Sequence, residues 1–158
     1  MLDEIKEKLE EIKESDSFKE WNAKHFDAYL CSVFVCDDLQ FDFYDPETDK
    51  ITSFSSERMI DGQEIFRKEK KKLIELKLNK IKIDLENVKE LIQKLIDEAY
   101  KGEESNKEII FLQSFDDKIV WNVTYITKTL NVLNVKVDAI SGEILDEKIE
   151  SAFSFKTK

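Results

Sequence analysis

Two periods of hydrophobic residues alternate along this chain. Leu2, Ile5, Leu9 and Ile12 return at three- and four-residue steps, which predicts a helix over 2–14 with one apolar stripe among Glu and Lys. Ser15-Asp16-Ser17 interrupts it and can cap a second helix carrying Phe18, Trp21, Ala23 and Phe26. The period then changes to two. Residues 29–36 are almost continuously apolar, Asp37-Asp38 breaks them, and Leu39, Phe41 and Phe43 alternate with Gln40 and Asp42. Asp45-Pro46-Glu47-Thr48-Asp49-Lys50 reads as a turn, after which Ile51 to Phe54 is extended again.

Between Ser55 and Lys80 the pattern weakens. Asp61-Gly62 marks a break, 63–72 has the composition of a helix, and Ile74, Leu76 and Leu78 alternate, which predicts a strand over 73–78. Asp84 stands as an N-cap before Leu85, Val88, Leu91, Ile92, Leu95, Ile96 and Ala99, and Gly102 sits where a glycine ends a helix. Ile109 to Phe115 is the next strand and Asp116-Asp117-Lys118 its hairpin. Ile119, Trp121, Val123 and Tyr125 then share one face, with Asn122 and Thr124 on the other. Leu133, Val135, Val137 and Ala139 alternate again. Ser141-Gly142 supplies a turn of positive φ, Glu143-Ile144-Leu145 resumes an extended run, and Ile149, Phe153 and Phe155 suggest a last edge strand.

The expected fold class is α+β, with helices packed on antiparallel sheet and Trp121 beneath Leu91 and Leu95. The chain divides into an N-terminal helical segment with a β-meander (1–60), a connecting segment (61–83) and a helix with a second meander (84–158). The halves echo each other. Asp45, Thr48, Asp49, Lys50 and Ile51 stand in the relation of Asp138, Ser141, Gly142, Glu143 and Ile144. A degenerate internal repeat is therefore expected, its two αβ halves forming one extended or paired sheet.

Composition narrows the function classes. A formal net charge of −10 repels nucleic-acid phosphates and anionic lipid at long range and favours a basic partner. No run of 18 apolar residues exists to cross a bilayer. The opening MLDEIKEKLEEIKE lacks a signal-peptide core, so a cytoplasmic location is expected. Three glycines leave little material for phosphate-cradling loops, and Walker, Rossmann and H-E-x-x-H motifs are absent.

Trp121-Asn122-Val123 and Val137-Asp138-Ala139-Ile140-Ser141-Gly142-Glu143-Ile144-Leu145, with the helix Asp84 to Tyr100 before them, resemble the PepSY family over residues 81–147. The first half is a possible degenerate copy. The resemblance implies a non-catalytic helix-on-sheet domain, of the kind found in propeptides of thermolysin-type metallopeptidases. Such domains inhibit or chaperone a peptidase, or serve as sensors in envelope proteins. The paired plan also resembles small tandem inhibitor folds by analogy of fold alone.

Candidate chemistry is sparse. Cys31 and Cys36 read as buried reduced thiols on opposite faces of a strand, too far apart in pattern for a redox or zinc pair. His25, at the end of the second helix, is the one histidine. Asp37-Asp38 and Asp116-Asp117 read as turns, and Arg67-Lys68-Glu69-Lys70-Lys71-Lys72 as a solvated basic face. No catalytic, cofactor or metal residues are assigned. The expected function is polypeptide binding or regulation, inhibition of a peptidase included, through a sheet face carrying Asn122, Thr124, Asn134 and Lys136. A self-associating scaffold, or an enzyme using a cysteine or clustered carboxylates, are the alternatives.

Overall fold

The computed structural model describes residues 1–56, 58–65 and 71–153. Its helices are α1 (Leu2–Glu14), α2 (Asp16–Lys24) and α3 (Leu85–Ala99). The strands of the first half are β1 (Tyr29–Val35), β2 (Gln40–Asp45), β3 (Lys50–Phe54) and β4 (Met59–Gln63). Those of the second are β5 (Ser105–Phe115), β6 (Lys118–Thr127), β7 (Asn131–Asp138) and β8 (Ile144–Ser151). All eight form one antiparallel sheet in the order β4-β3-β2-β1-β5-β6-β7-β8. The first strands of the two meanders meet at the centre, Phe34 opposite Phe111 and Val33 opposite Leu112. Each half therefore runs outward from a shared seam.

Helix starts follow from capping. Ser15 accepts from the Phe18 N–H at 3.3 Å and so ends α1 and opens α2. Asp84 Oδ1 accepts from the N–H groups of Leu85, at 2.7 Å, and Leu2, at 3.0 Å, so one carboxylate joins the starts of α3 and α1. The stripes meet the sheet as patterned: Ile5, Leu9 and Ile12 of α1, Phe18 and Trp21 of α2, and Leu85, Val88, Ile92 and Ile96 of α3 are buried. Leu91 and Leu95, expected above Trp121, are half-buried and pack against the core cluster that contains it. Trp121 is fully buried, its indole N–H donating to the Ile83 carbonyl at 2.8 Å. The apolar stripe of α2 stops early. Ala23 is exposed, and Phe26 lies beyond the helix at 74% exposure.

The turns carry the resemblance between halves. Asp138 Oδ1 accepts from Ile140 and Ser141 N–H, and the Gly142 N–H returns to the Asp138 carbonyl at 2.9 Å, with Gly142 at φ +79°. In the first half Asp45 Oδ1 accepts from Glu47 N–H, and the Asp49 N–H returns to the Asp45 carbonyl, also at 2.9 Å, with Asp49 at φ +57°. The same local solution is built twice, once with glycine and once with aspartate, a residue that tolerates this region better than most. Asp116 and Asp117 both have positive φ and make a two-residue hairpin, the twist-matched kind.

Three expectations are corrected. The strand predicted over 73–78 does not form; Leu76 N–H bonds the Leu30 carbonyl, but no ladder follows, because the segment crosses strand ends where it has no neighbour. It continues into a short 3-10 turn, Leu78–Lys80. Residues 63–65 and 71–72 are not helical, and 66–70, with Arg67 to Lys70 of the basic run, lie outside the described residues. Finally, β4 takes in residues 61–63 of the stretch expected to be only a connection. Among the described residues, no helix is long and apolar enough to cross a membrane.

Candidate functional site: the open face of the sheet

Because strand side chains alternate, helices on one face leave the other to solvent. Cross-strand register lays this second face out in rows. One runs Gln40, Phe34, Phe111, Asn122, Lys136, Asp146 across six strands. A parallel row holds Ile109, Thr124, Asn134 and Lys148. The four residues singled out from sequence, Asn122, Thr124, Asn134 and Lys136, thus lie together on this face, each half-buried.

They form one hydrogen-bonded ladder. The Asn134 amide donates to Asn122 Oδ1 at 2.6 Å and to Thr124 Oγ1 at 2.8 Å. Lys136 Nζ donates to Asn134 Oδ1 at 2.8 Å, pairs with Asp146 at 3.5 Å and lies 5.2 Å from the centre of the Phe115 ring. These bonds hold the ladder's rotamers and preorganise its surface. Beside it Phe34 and Phe111 stack at 4.7 Å and 15° across the seam. Sequence pattern alone does not bring this pair together, since it depends on β1 pairing with β5, about 77 residues further on. A half-exposed aromatic centre with a polar surround is the composition that anchors protein interfaces.

On the first half the same face carries a tighter network. Asp42, buried, accepts from Ser32 at 2.7 Å, Ser53 at 2.5 Å and Gln40 at 3.2 Å. On this half much of the face is closed to solvent, Asp42, Tyr44 and Ser53 all being buried. Tyr29 donates its hydroxyl to the Leu73 carbonyl there, and Tyr44 is buried against it.

The remaining candidates sit elsewhere. Cys31 is buried beside Asp42, and burial, with that nearby charge, pushes its thiol up to about 12. Cys36, expected buried, lies exposed in the loop after β1, because the strand ends one residue earlier. His25 caps α2, stacks on Trp21 and bonds Asp45 Oδ2 through Nδ1 at 2.6 Å. Asp38 accepts from the Ser56 N–H and hydroxyl, so the first Asp pair ties a loop. Among the described residues no three His, Cys, Asp or Glu side chains gather as metal ligands.

Several carboxylates are held below their ordinary range. Burial alone raises Asp84, Asp138 and Asp45, but backbone donors on each, together with His25 on Asp45 and Lys118 on Asp138, outweigh it. Asp61 is lowered by the Thr52 hydroxyl, which outweighs burial, and also by the Trp21 indole. Exposed Glu47, raised by Asp27, works the other way. A lowered folded value means stability that is present above the unfolded value, about pH 4, and lost as pH falls through the folded one. The melting temperature should therefore hold from pH 7 towards 4 and drop below it. A flat profile down to pH 2.5 would contradict these assignments.

No family model matches the chain, and no curated protein matches it. One solved structure is similar, a protein of Clostridium difficile 630 described as a "putative lipoprotein". Identity is 14%, coverage is 85% of this chain and 91% of that one, and the TM-score is 0.48. A likeness of that depth fixes neither fold nor role.

Proposed function

We propose that the protein is a non-catalytic, PepSY-like binding module whose open sheet face docks a polypeptide, in a regulatory or inhibitory role. The observation that carries the reading is the division of the sheet. Three helices bury one face, while the other offers the Asn122–Thr124–Asn134–Lys136 ladder beside the Phe34–Phe111 stack. The equivalent turns at Asp45 and Asp138 fit a duplicated αβ unit forming one extended sheet. The field of a chain with net charge −10 favours a basic partner and an on-rate that falls with salt.

The test is Thr124→Arg combined with Lys136→Glu. Capture of the physiological partner from native lysate should fall about tenfold or more, as removal of an interface centre does. The melting temperature should stay within a few degrees, both positions being half-buried at the surface. Undiminished capture would move the site off this face.

A further inference from the structure

On the open face the polar ladder runs beside a strip of apolar side chains. Phe34 and Phe111 begin it at the seam. Ile109 follows two residues along β5, and Ile126 of β6 lies opposite Val132 of β7. All five are half-buried. Val35, Ile144 and Ile149 of the same sheet pack against the core cluster, whereas these five point the other way and lie outside it.

The two ends of the strip differ in charge. Beside its far half Lys136 pairs with Asp146 and Lys148 with Glu150, which leaves Lys107, opposite Ile126, in excess there. At the seam end the loop after β1 carries Asp37 and Asp38. They line a cavity of about 430 Å³ together with Glu4, Glu7 and Glu11, against Lys8 and the Met1 amine, so that end is acidic.

We infer that this strip receives an amphipathic α-helix of a partner polypeptide, lying with a basic end towards Asp37 and Asp38. The backbone decides between a helix and an extended segment. In the inner strands the N–H and C=O groups are committed to the ladder, so the face offers side chains only. An extended segment laid on it would lose water from its own backbone and find no partners there. Extended peptides add at sheet edges instead. A helix brings its backbone bonds with it and needs only an apolar stripe. The chain uses that solution on its other face, where Ile5, Leu9 and Ile12 of α1 and Val88, Ile92 and Ile96 of α3 join the core. Length fits as well. From Phe34 on β1 to Val132 on β7 the strip crosses three strand spacings and four residues, a diagonal of about 20 Å. About 13 helical residues rise that far. The acidic end, in the field of a chain with net charge −10, selects Lys and Arg over Glu and Asp and repels an anionic bilayer. The inference rests on the docking reading above and names the occupant of that face.

Three labelled peptides of about 16 residues are the probes, followed by fluorescence anisotropy on the full chain. One places Leu at i, i+3, i+4 and i+7 among Lys and Ala. The second holds the same residues reordered so that Leu alternates, and the third carries Glu for each Lys of the first. The first should bind about tenfold tighter or more than either of the others, and gain helical circular dichroism as it binds. Ile126→Thr with Val132→Thr keeps β-branched side chains in the strands. That pair should weaken the first peptide about tenfold, with the melting temperature within a few degrees of wild type. Asp37→Lys should weaken it about threefold or more. Equal binding of the first two peptides, or indifference to the Ile126 and Val132 changes, would overturn the inference. So would binding of phosphatidylcholine vesicles, or of a second copy of the chain, that those changes abolish while the helical peptide stays unbound. If the inference fails while partner capture still falls with Thr124→Arg and Lys136→Glu, the docking reading stands and the occupant is not a helix.

Discussion

Replacing Trp121 with Ala is expected to lower stability by about 3–5 kcal/mol, the usual cost of removing a large buried ring. The side chain is fully buried, faces Leu112 on one neighbouring strand and Val137 on the other, and donates to the Ile83 carbonyl. It therefore ties β6 to the segment that leads into α3 as well as filling the core. Against a total of about 5–15 kcal/mol, such a loss leaves the fold marginal. Trp121→Phe separates the two contributions. It keeps most of the volume but leaves a carbonyl without its donor, at a cost of about 1–3 kcal/mol. Urea denaturation should place the variants in the order wild type, Phe, Ala. An Ala variant within about 1 kcal/mol of wild type would mean the second half does not fold around this residue.

Gly142→Val should be the next most damaging change, at about 1–3 kcal/mol. Gly142 holds φ +79°, a region a β-branched residue avoids, and an added Cβ would meet Ile83 Cδ1 at 3.4 Å. The loop also fixes which residues of β8 oppose β7, so the strain is expressed as lost register at an edge. Asp49→Val at the matching position of the first half should act in the same direction. A thermal scan suffices to check both. An unchanged melting temperature for Gly142→Val would remove the positive-φ turn from this account.

Where the chain makes its own structure locally, its residues announce that structure. Ser15 and Asp84 are caps because short polar side chains before apolar periodicity find orphan N–H groups. Asp116-Asp117 turns because the chain must reverse in two residues. The polar positions of β6 and β7 could be assigned to an open face for the same reason, since period two leaves them nowhere else to point. What was not legible depends on partners distant in sequence. Met59–Gln63 contains Asp61 and Gly62, poor strand formers. It pairs with β3 where Asp61 accepts from the Thr52 hydroxyl at 2.6 Å and the Trp21 indole at 3.3 Å. Leu73 to Leu78 alternates like a strand but runs past strand ends, so tertiary position overrode pattern. The Phe34–Phe111 stack and the bond from His25 to Asp45 each require the strand order first.

The central claim, that a polypeptide docks on the face opposite the helices, is tested most directly by photo-crosslinking from both sides of the sheet. A benzophenone side chain at Asn122, on the open face, is compared with one at Lys94, exposed on α3, in the presence of native lysate. The account predicts a discrete adduct from position 122, lost with Thr124→Arg and Lys136→Glu, and none from position 94. Adducts from position 94 alone, or the same adducts from both, would contradict it.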